Sequence, residues 1–207
     1  MVADLIRRTE SGRPRLPRGR QAAHAAARAA YLRGDSLDMS ALAQELGVGR
    51  ATLYRWAGNR EDLLGAVLAE ATERTFRQAL REVRDRRDAP DTGAEQVLAV
   101  VECFMHKVLA AEPLKALTAR EPRLFVRLAT SPGAIETRSA QLLQAFLEQE
   151  VAAGRLAPPL PVPALSQALV RIADGPLYSH LLGGGEPRIE EALAVIAVLL
   201  GIDRAHD

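Results

Sequence analysis

One cysteine, Cys103, stands alone among 207 residues, so no disulfide closes within the chain and a reducing, cytoplasmic setting is expected. Aromatic residues make up only 4% of the sequence and runs of β-branched residues are few; with Ala, Leu, Arg and Glu abundant, helices are favoured throughout. No apolar signal segment opens the chain. The longest apolar run, 192–202, is too short to cross a bilayer, so the expectation is a protein without membrane contact. The glycines at 183–185 follow a helical stretch and lack a lysine after them, so they are not a phosphate-cradling loop. His24, His106, His180 and His206 do not fall at metal-ligand spacing with Cys or carboxylates, and no nucleophile-elbow pattern occurs. These absences disfavour an enzyme, and no cofactor is expected.

The most informative stretch is 38–64. Asp38 is a good helix N-cap, and Met39, Leu42, Ala43 and Leu46 repeat at helical spacing. Gly47 can take the left-handed conformation that ends a helix and turns the chain sharply. A second short helix starts at Arg50, with Leu53 and Trp56 expected on its inner side. Arg50, Ala51, Thr52, Tyr54 and Arg55 are then left to face outward. Two short helices joined by a three-residue glycine turn form a helix-turn-helix, whose second helix can enter a DNA major groove. The bare pattern also describes an ordinary helical hairpin in a core. Favouring DNA, the second helix carries groups suited to phosphates and base edges rather than a broad apolar face.

Charge supports the DNA reading. Net charge is +1, yet the first 60 residues hold 11 Lys and Arg against 5 Asp and Glu, a net +6, and the rest hold 16 against 21, a net −5. A basic head on an acidic body fits a nucleic-acid binder with a separate regulatory part. Residues 1–19 are polar, proline-bearing and basic. Arg13 and Arg15 belong either to an arm that reaches DNA or to a solvated tail.

Leu53-Tyr54 and Arg60-Glu61-Asp62-Leu63-Leu64, preceded by Leu42-Ala43 and Gly47-Val48, resemble the DNA-binding head of TetR-family transcriptional regulators over roughly 21–68. The resemblance implies phosphate contacts from Tyr54 and Arg60 and base contacts from residues 50, 51, 52 and 55, with Ser40 a further DNA candidate. Trp56, Ala57 and Gly49 depart from the family's usual residues. Leu53-Tyr54-Arg55-Trp56 and Glu121-Pro122-Arg123-Leu124-Phe125 are also similar to a smaller branch, the QsdR-like regulators, which would imply a lactone-type signal.

Downstream, the pattern predicts a long linking helix over 60–85 and a buried helix over 94–111. Two short helices split by Pro122, a helix over 133–151 and a proline-rich connector at 157–163 follow. Two final helices are expected over 164–182 and 187–202. In the first helix, Ala22, Ala25, Ala26, Ala29, Ala30, Tyr31 and Leu32 are expected to pack on the helix-turn-helix. The fold class is therefore all-α. A basic arm (1–19) precedes a three-helix DNA-binding domain (20–62), and a larger ligand-binding and dimerisation domain (63–207) follows. Short broken helices beside a long buried one leave room for an apolar pocket. Its candidate residues are Phe104, Met105, His106, Phe125, Leu128, Phe146, Asp174 and Tyr178. His106 either faces this pocket or lies on the surface, and Phe104 and Met105 either line it or fill the core. The apolar last helix calls for a symmetric partner, giving a homodimer. The function expected is a regulator, most simply a repressor, that leaves a palindromic operator when a small hydrophobic effector binds. The alternatives are an effector-independent DNA-binding dimer and a helical enzyme.

Overall fold

Asp38, Gly47, Gly58 and Asn59 punctuate the first third of the chain, and the helices of the computed structural model begin and end at these residues. The structure describes residues 18–86, 90, 93–130 and 133–202. Its helices are α1 (Arg18–Leu32), α2 (Met39–Glu45), α3 (Arg50–Ala57), α4 (Arg60–Arg84) and α5 (Gly93–Leu109). They continue with α6 (Glu112–Arg120), α7 (Pro122–Ala129), α8 (Ala134–Ala152), α9 (Val162–Gly183) and α10 (Ile189–Leu199). Most of the expected basic arm, with Arg13 and Arg15, lies outside the described residues. Its last two residues, Arg18 and Gly19, already belong to α1.

Local chemistry sets the head. Asp38 Oδ1 accepts the backbone N–H groups of Ser40 at 2.6 Å and Ala41 at 3.2 Å, which satisfies two orphan donors at the start of α2. The bonds from Ala41 and Ser40 hold the Asp38 carboxyl below the usual carboxylate range. At the other end Gly47 has φ 65°, and the Val48 N–H returns to Ala43 O at 3.0 Å, closing the turn before α3. Asn59 and Asp62 cap α4 reciprocally: the Asn59 side chain accepts from the Asp62 N–H and Asp62 from the Asn59 N–H.

Two apolar cores result. One joins α1, α2, α3 and the first half of α4, and it continues into α6 and α7 through Leu114, Leu117, Leu124, Phe125 and Leu128. The other joins the second half of α4 to α5, α8, α9 and α10, with Phe76 edge-on to Phe104 and Phe146 at 5.9 and 6.3 Å between ring centroids. Glu73, 2% exposed, sits between them on α4, paired with Arg77 and with Arg138 of α8. A buried carboxylate needs such partners, and losing one of them costs more than the pair contributes. On α10, Ala192, Leu193, Ile196 and Ala197 face inward, whereas Val195 and Val198 remain 50% and 72% exposed.

Several expectations change. The inner stripe of α1 is Ala23, Ala27 and Tyr31, with Ala22, Ala25, Ala29 and Leu32 exposed. An alanine-rich helix offers little contrast between its faces, and the buried Tyr31 ring sets the register. On α3 the inward pair is Leu53 and Ala57 rather than Leu53 and Trp56. The half-buried Trp56 indole instead covers the start of α1 at Gly19, where an added Cβ would overlap the ring. Helix α9 begins at Val162, so the proline-rich connector is shorter than expected.

Trp56 is the only tryptophan, so its emission reports this contact. Gly19→Ala is expected to push the indole toward water, shifting its emission to longer wavelength and lowering the melting temperature by a few degrees, as about 1 kcal/mol does in a domain of this size. Unchanged emission would show that the ring is not held there.

Candidate DNA-binding face and effector cavity

On α3, burying Leu53 and Ala57 turns Arg50, Ala51, Tyr54 and Arg55 to solvent, with Thr52 half-buried. Tyr54 is 47% exposed, unusual for a ring with apolar neighbours available. Arg18 and Arg20, at the start of α1, are exposed as well. The face is a short helix carrying two guanidinium groups, a phenol and two small side chains, open to a groove. Ser40 is half-buried on α2, and its N–H is spent on Asp38.

Arg60 has a different setting. Its Nε donates to Leu37 O at 2.6 Å, and its two terminal nitrogens reach Glu121 at 2.7 and 2.5 Å. A cation in the first turn of a helix is disfavoured by the helix dipole, and the bidentate carboxylate offsets this. The sequence-based phosphate role therefore meets a guanidinium already engaged inside the chain. The Arg60 hydrogen bond, with its charge, holds the Glu121 carboxyl below its ordinary range. Glu121 stands directly before α7, its carboxylate spent on Arg60 rather than on the helix end, so the pair ties the head to the body. Two further bonds cross the same seam: Arg127 reaches Glu61 at 2.6 Å, and Arg120 donates to the carbonyl of Gly34. The sequence marks Arg120, Glu121 and Arg127 as rim or salt-bridge residues but does not give their partners Gly34, Arg60 and Glu61 in the head.

Behind the seam, α4, α5, α7, α8 and α9, with Tyr31 of α1 and Leu114 of α6, border a partly open cavity of about 70 Å³. Phe104, Phe125, Asp174 and Tyr178 line it, as the sequence pointed to. Met105 does not: it is fully buried in the core. Phe146 likewise packs into the core against Phe76. Leu128 faces the cleft between head and body, beside Gly65 and Ala134. His106 lies exposed on the outer side of α5. One and two helical steps separate 104 from 105 and 106, and the sequence does not say which of an apolar helix's faces meets a void. The lining residues that were missed include Leu68, Ala71, Thr72 and Thr75 of α4, whose spacing of three and four along one helix is the legible signal.

Asp174 stands out on this wall. Burial raises its pKa from 3.8 to about 7, opposed by Tyr178 and reinforced by the charge of Glu136. The Tyr178 hydroxyl, also pushed up by burial, donates to Ala129 O at the end of α7 at 3.1 Å, and its ring packs edge-on to Phe125.

A glycine-turn pair of helices with a cationic outer face, joined by a shared helix to a hollow helical body, defines a DNA-binding regulator with a ligand-binding part. Residues 92–201 match the family described as tetracyclin repressor-like, C-terminal domain. The transcriptional repressor QsdR of R. erythropolis, from the TetR family, is 48% identical; the alignment covers 91% of this chain and 97% of that one, with a TM-score of 0.83. The TetR-family repressor AlkX of Dietzia sp. shares the fold at 19% identity, 88% and 93% coverage and a TM-score of 0.60. So does the regulator FadR of Bacillus subtilis, solved with stearoyl-CoA, at 16%, 90% and 99%, and 0.54. No curated protein matches. The chain belongs to the TetR family of transcriptional regulators. It is a DNA-binding transcriptional regulator and not an enzyme. Among the described residues, no helix is long and apolar enough to cross a membrane.

Two pH experiments follow from these carboxyls. Asp174 has a raised folded pKa, so its penalty is absent below about 3.8 and grows as pH rises to about 7. Asp174→Asn should therefore stabilise the protein at pH 8, by on the order of 4 kcal/mol at most, with the gain gone by about pH 4. A gain equal at both pH values would refute the burial argument. Glu121 has the opposite sign: its contribution is present above the carboxylate range and lost as pH falls through it. Glu121→Gln should lower the melting temperature at neutral pH, and the two proteins should converge in acid.

Proposed function

We propose that this chain is a homodimeric repressor that sits on a palindromic operator and releases it when a small, largely hydrophobic effector fills the cavity beneath α7. The observation that carries the DNA reading is the outer face of α3, where Arg50, Ala51, Tyr54 and Arg55 are open while Leu53 and Ala57 are buried. In this reading the head spans 20–62, the regulatory and dimerisation part spans 63–207, and the protein works in the cytoplasm. The exposed Val195 and Val198 of α10 and Leu182 of α9 support a symmetric helix-on-helix interface. Two heads must then sit about 34–36 Å apart to reach successive major-groove faces. An effector acts through linkage: it weakens DNA binding by the difference between its affinities for the two head separations, typically about 1–3 kcal/mol.

The Arg60–Glu121 pair gives the linkage a route. Helix α7 carries Glu121 at one end and Phe125 one turn later, so an occupant that displaces Phe125 also displaces the carboxylate that holds Arg60. Arg60 is thus assigned to positioning the head rather than to a phosphate. The lactone-type signal implied by the QsdR resemblance is one member of the apolar class proposed here.

Selection of bound duplexes from a random pool, followed by footprinting, should return a palindrome. On that operator Arg55→Ala should weaken binding and flatten the logarithmic salt dependence by about 1, as one lost phosphate contact does. Tyr54→Ala should weaken binding without changing the slope, since no charge is removed. Arg60→Ala should leave the slope unchanged while lowering thermal stability. A slope that falls by about 1 for Arg60→Ala would restore the phosphate assignment.

A further inference from the structure

The main cavity has a neighbour. A second, smaller apolar space of about 30 Å³ lies toward Phe76, Val101, Leu143 and Leu169, and the two share one wall formed by Thr72, Phe104, Ser139 and Asp174. Two greasy lobes therefore meet at a seam that holds a carboxyl and two hydroxyls. Among the described residues lining either lobe there is no Lys, Arg or His, and Asp174 is the only carboxyl. Beyond the lining, the negative charge of Glu136 acts on both Asp174 and Tyr178, and Glu136 is itself paired with Arg171 at 3.3 Å.

Hydrogen-bond supply sharpens the case. Tyr178 lies within bonding reach of Asp174, but a phenol has one proton, and Tyr178 gives it to Ala129 O at 3.1 Å. An ionised Asp174 then draws that proton from the end of α7, turns to the Thr72 and Ser139 hydroxyls that share its wall, or is served by a donor brought into the cavity. A buried carboxylate served by a ligand's donor is far better placed than one left unpaired. A ligand carboxylate or phosphate would meet the reverse: like charge from Asp174, no cation within the lining, and little water to screen either.

We infer that Asp174 selects the effector: the paired lobes take an uncharged molecule with an apolar group on each side of one central hydrogen-bond donor, an amide N–H or a hydroxyl, and reject anionic amphiphiles. The inference rests on the reading of this cavity as the effector site. Thr72 and Ser139 are placed to serve the acceptor that accompanies such a donor, and Phe104 packs against its flank.

The full-length protein can be titrated by calorimetry at about pH 8.5, above the pKa of about 7 that burial gives Asp174, with N-hexylhexanamide, hexyl hexanoate, dodecanoate and dihexylammonium, compounds of similar length that differ in the central or terminal group. The amide is expected to bind at least about tenfold more tightly than the ester, which has no donor, and dodecanoate more weakly than either. Asp174→Leu should bring amide and ester to within about twofold of each other, because the acceptor is gone. Asp174→Asn keeps size and an acceptor oxygen while losing charge, so it should retain the preference for amide over ester and improve dodecanoate binding by about tenfold. It also decides the matter if the leucine variant does not fold. Dodecanoate binding to the unaltered protein as tightly as the amide would overturn the inference. So would an amide-to-ester ratio that survives in Asp174→Leu, or tightest binding by the ammonium. Binding without discrimination would leave the cavity as effector site and remove Asp174 as its selector. Failure of all the compounds to bind at their solubility limits would instead overturn the effector-site reading itself.

Discussion

Helix α4 is shared between two cores, and that sharing constrains everything else in the molecule. Its first half, through Leu63, Leu64, Val67 and Leu68, completes the head; its second half, through Phe76, Ala79, Leu80 and Val83, is packed into the body. Burying apolar area at both ends of one rigid rod leaves little room for the head to move without the rod moving too. The start of the rod is fixed by polar geometry rather than by packing: Arg60 sits in its first turn and is held by Leu37 O and Glu121. A helix N-terminus disfavours a cation, and the Glu121 carboxylate just before α7 offsets that cost for the guanidinium. Apolar burial sets where α4 lies, and one charge pair sets what it answers to.

Helix α7 is the other half of this arrangement. It has eight residues, begins at Pro122 directly after Glu121, and faces Phe125 toward the cavity. Its carbonyl end is tied through Ala129 to Tyr178 on α9. The same short element is therefore bound by a polar contact at each end and by an aromatic contact in between. The head, the cavity wall and the body meet on it, although nothing in its composition marks it as more than a surface helix.

How much of this could be read from the residues depended on how local the cause was. Asp38, Gly47, Asn59 and Asp62 act within three or four positions of themselves, so the helix boundaries of the head follow from the sequence almost directly. The alanine-rich α1 was harder, because Ala22 and Ala23 are chemically alike and only the tertiary position of Tyr31 separates the buried from the exposed. The cavity was hardest. Met105 and Phe104 are both large and apolar, yet one fills the core and the other borders empty space. That distinction belongs to the shapes of five helices together and is not encoded at either position. Asp174 was visible as an anomaly, an acid among apolar neighbours before Gly175 and Pro176, but its partner Tyr178 and the shared wall appear only once the helices are placed.

The hydrogen bond from Tyr178 to Ala129 has one more consequence. A helix leaves its last carbonyls without partners from its own backbone, and Ala129 is the final residue of α7. The phenol proton that closes this end is the same one that an ionised Asp174 would draw toward itself. Acidity in the hollow and fraying of a helix terminus are thereby made competitors for a single hydrogen. Whatever arrives with a hydrogen of its own lets both acceptors be satisfied at once.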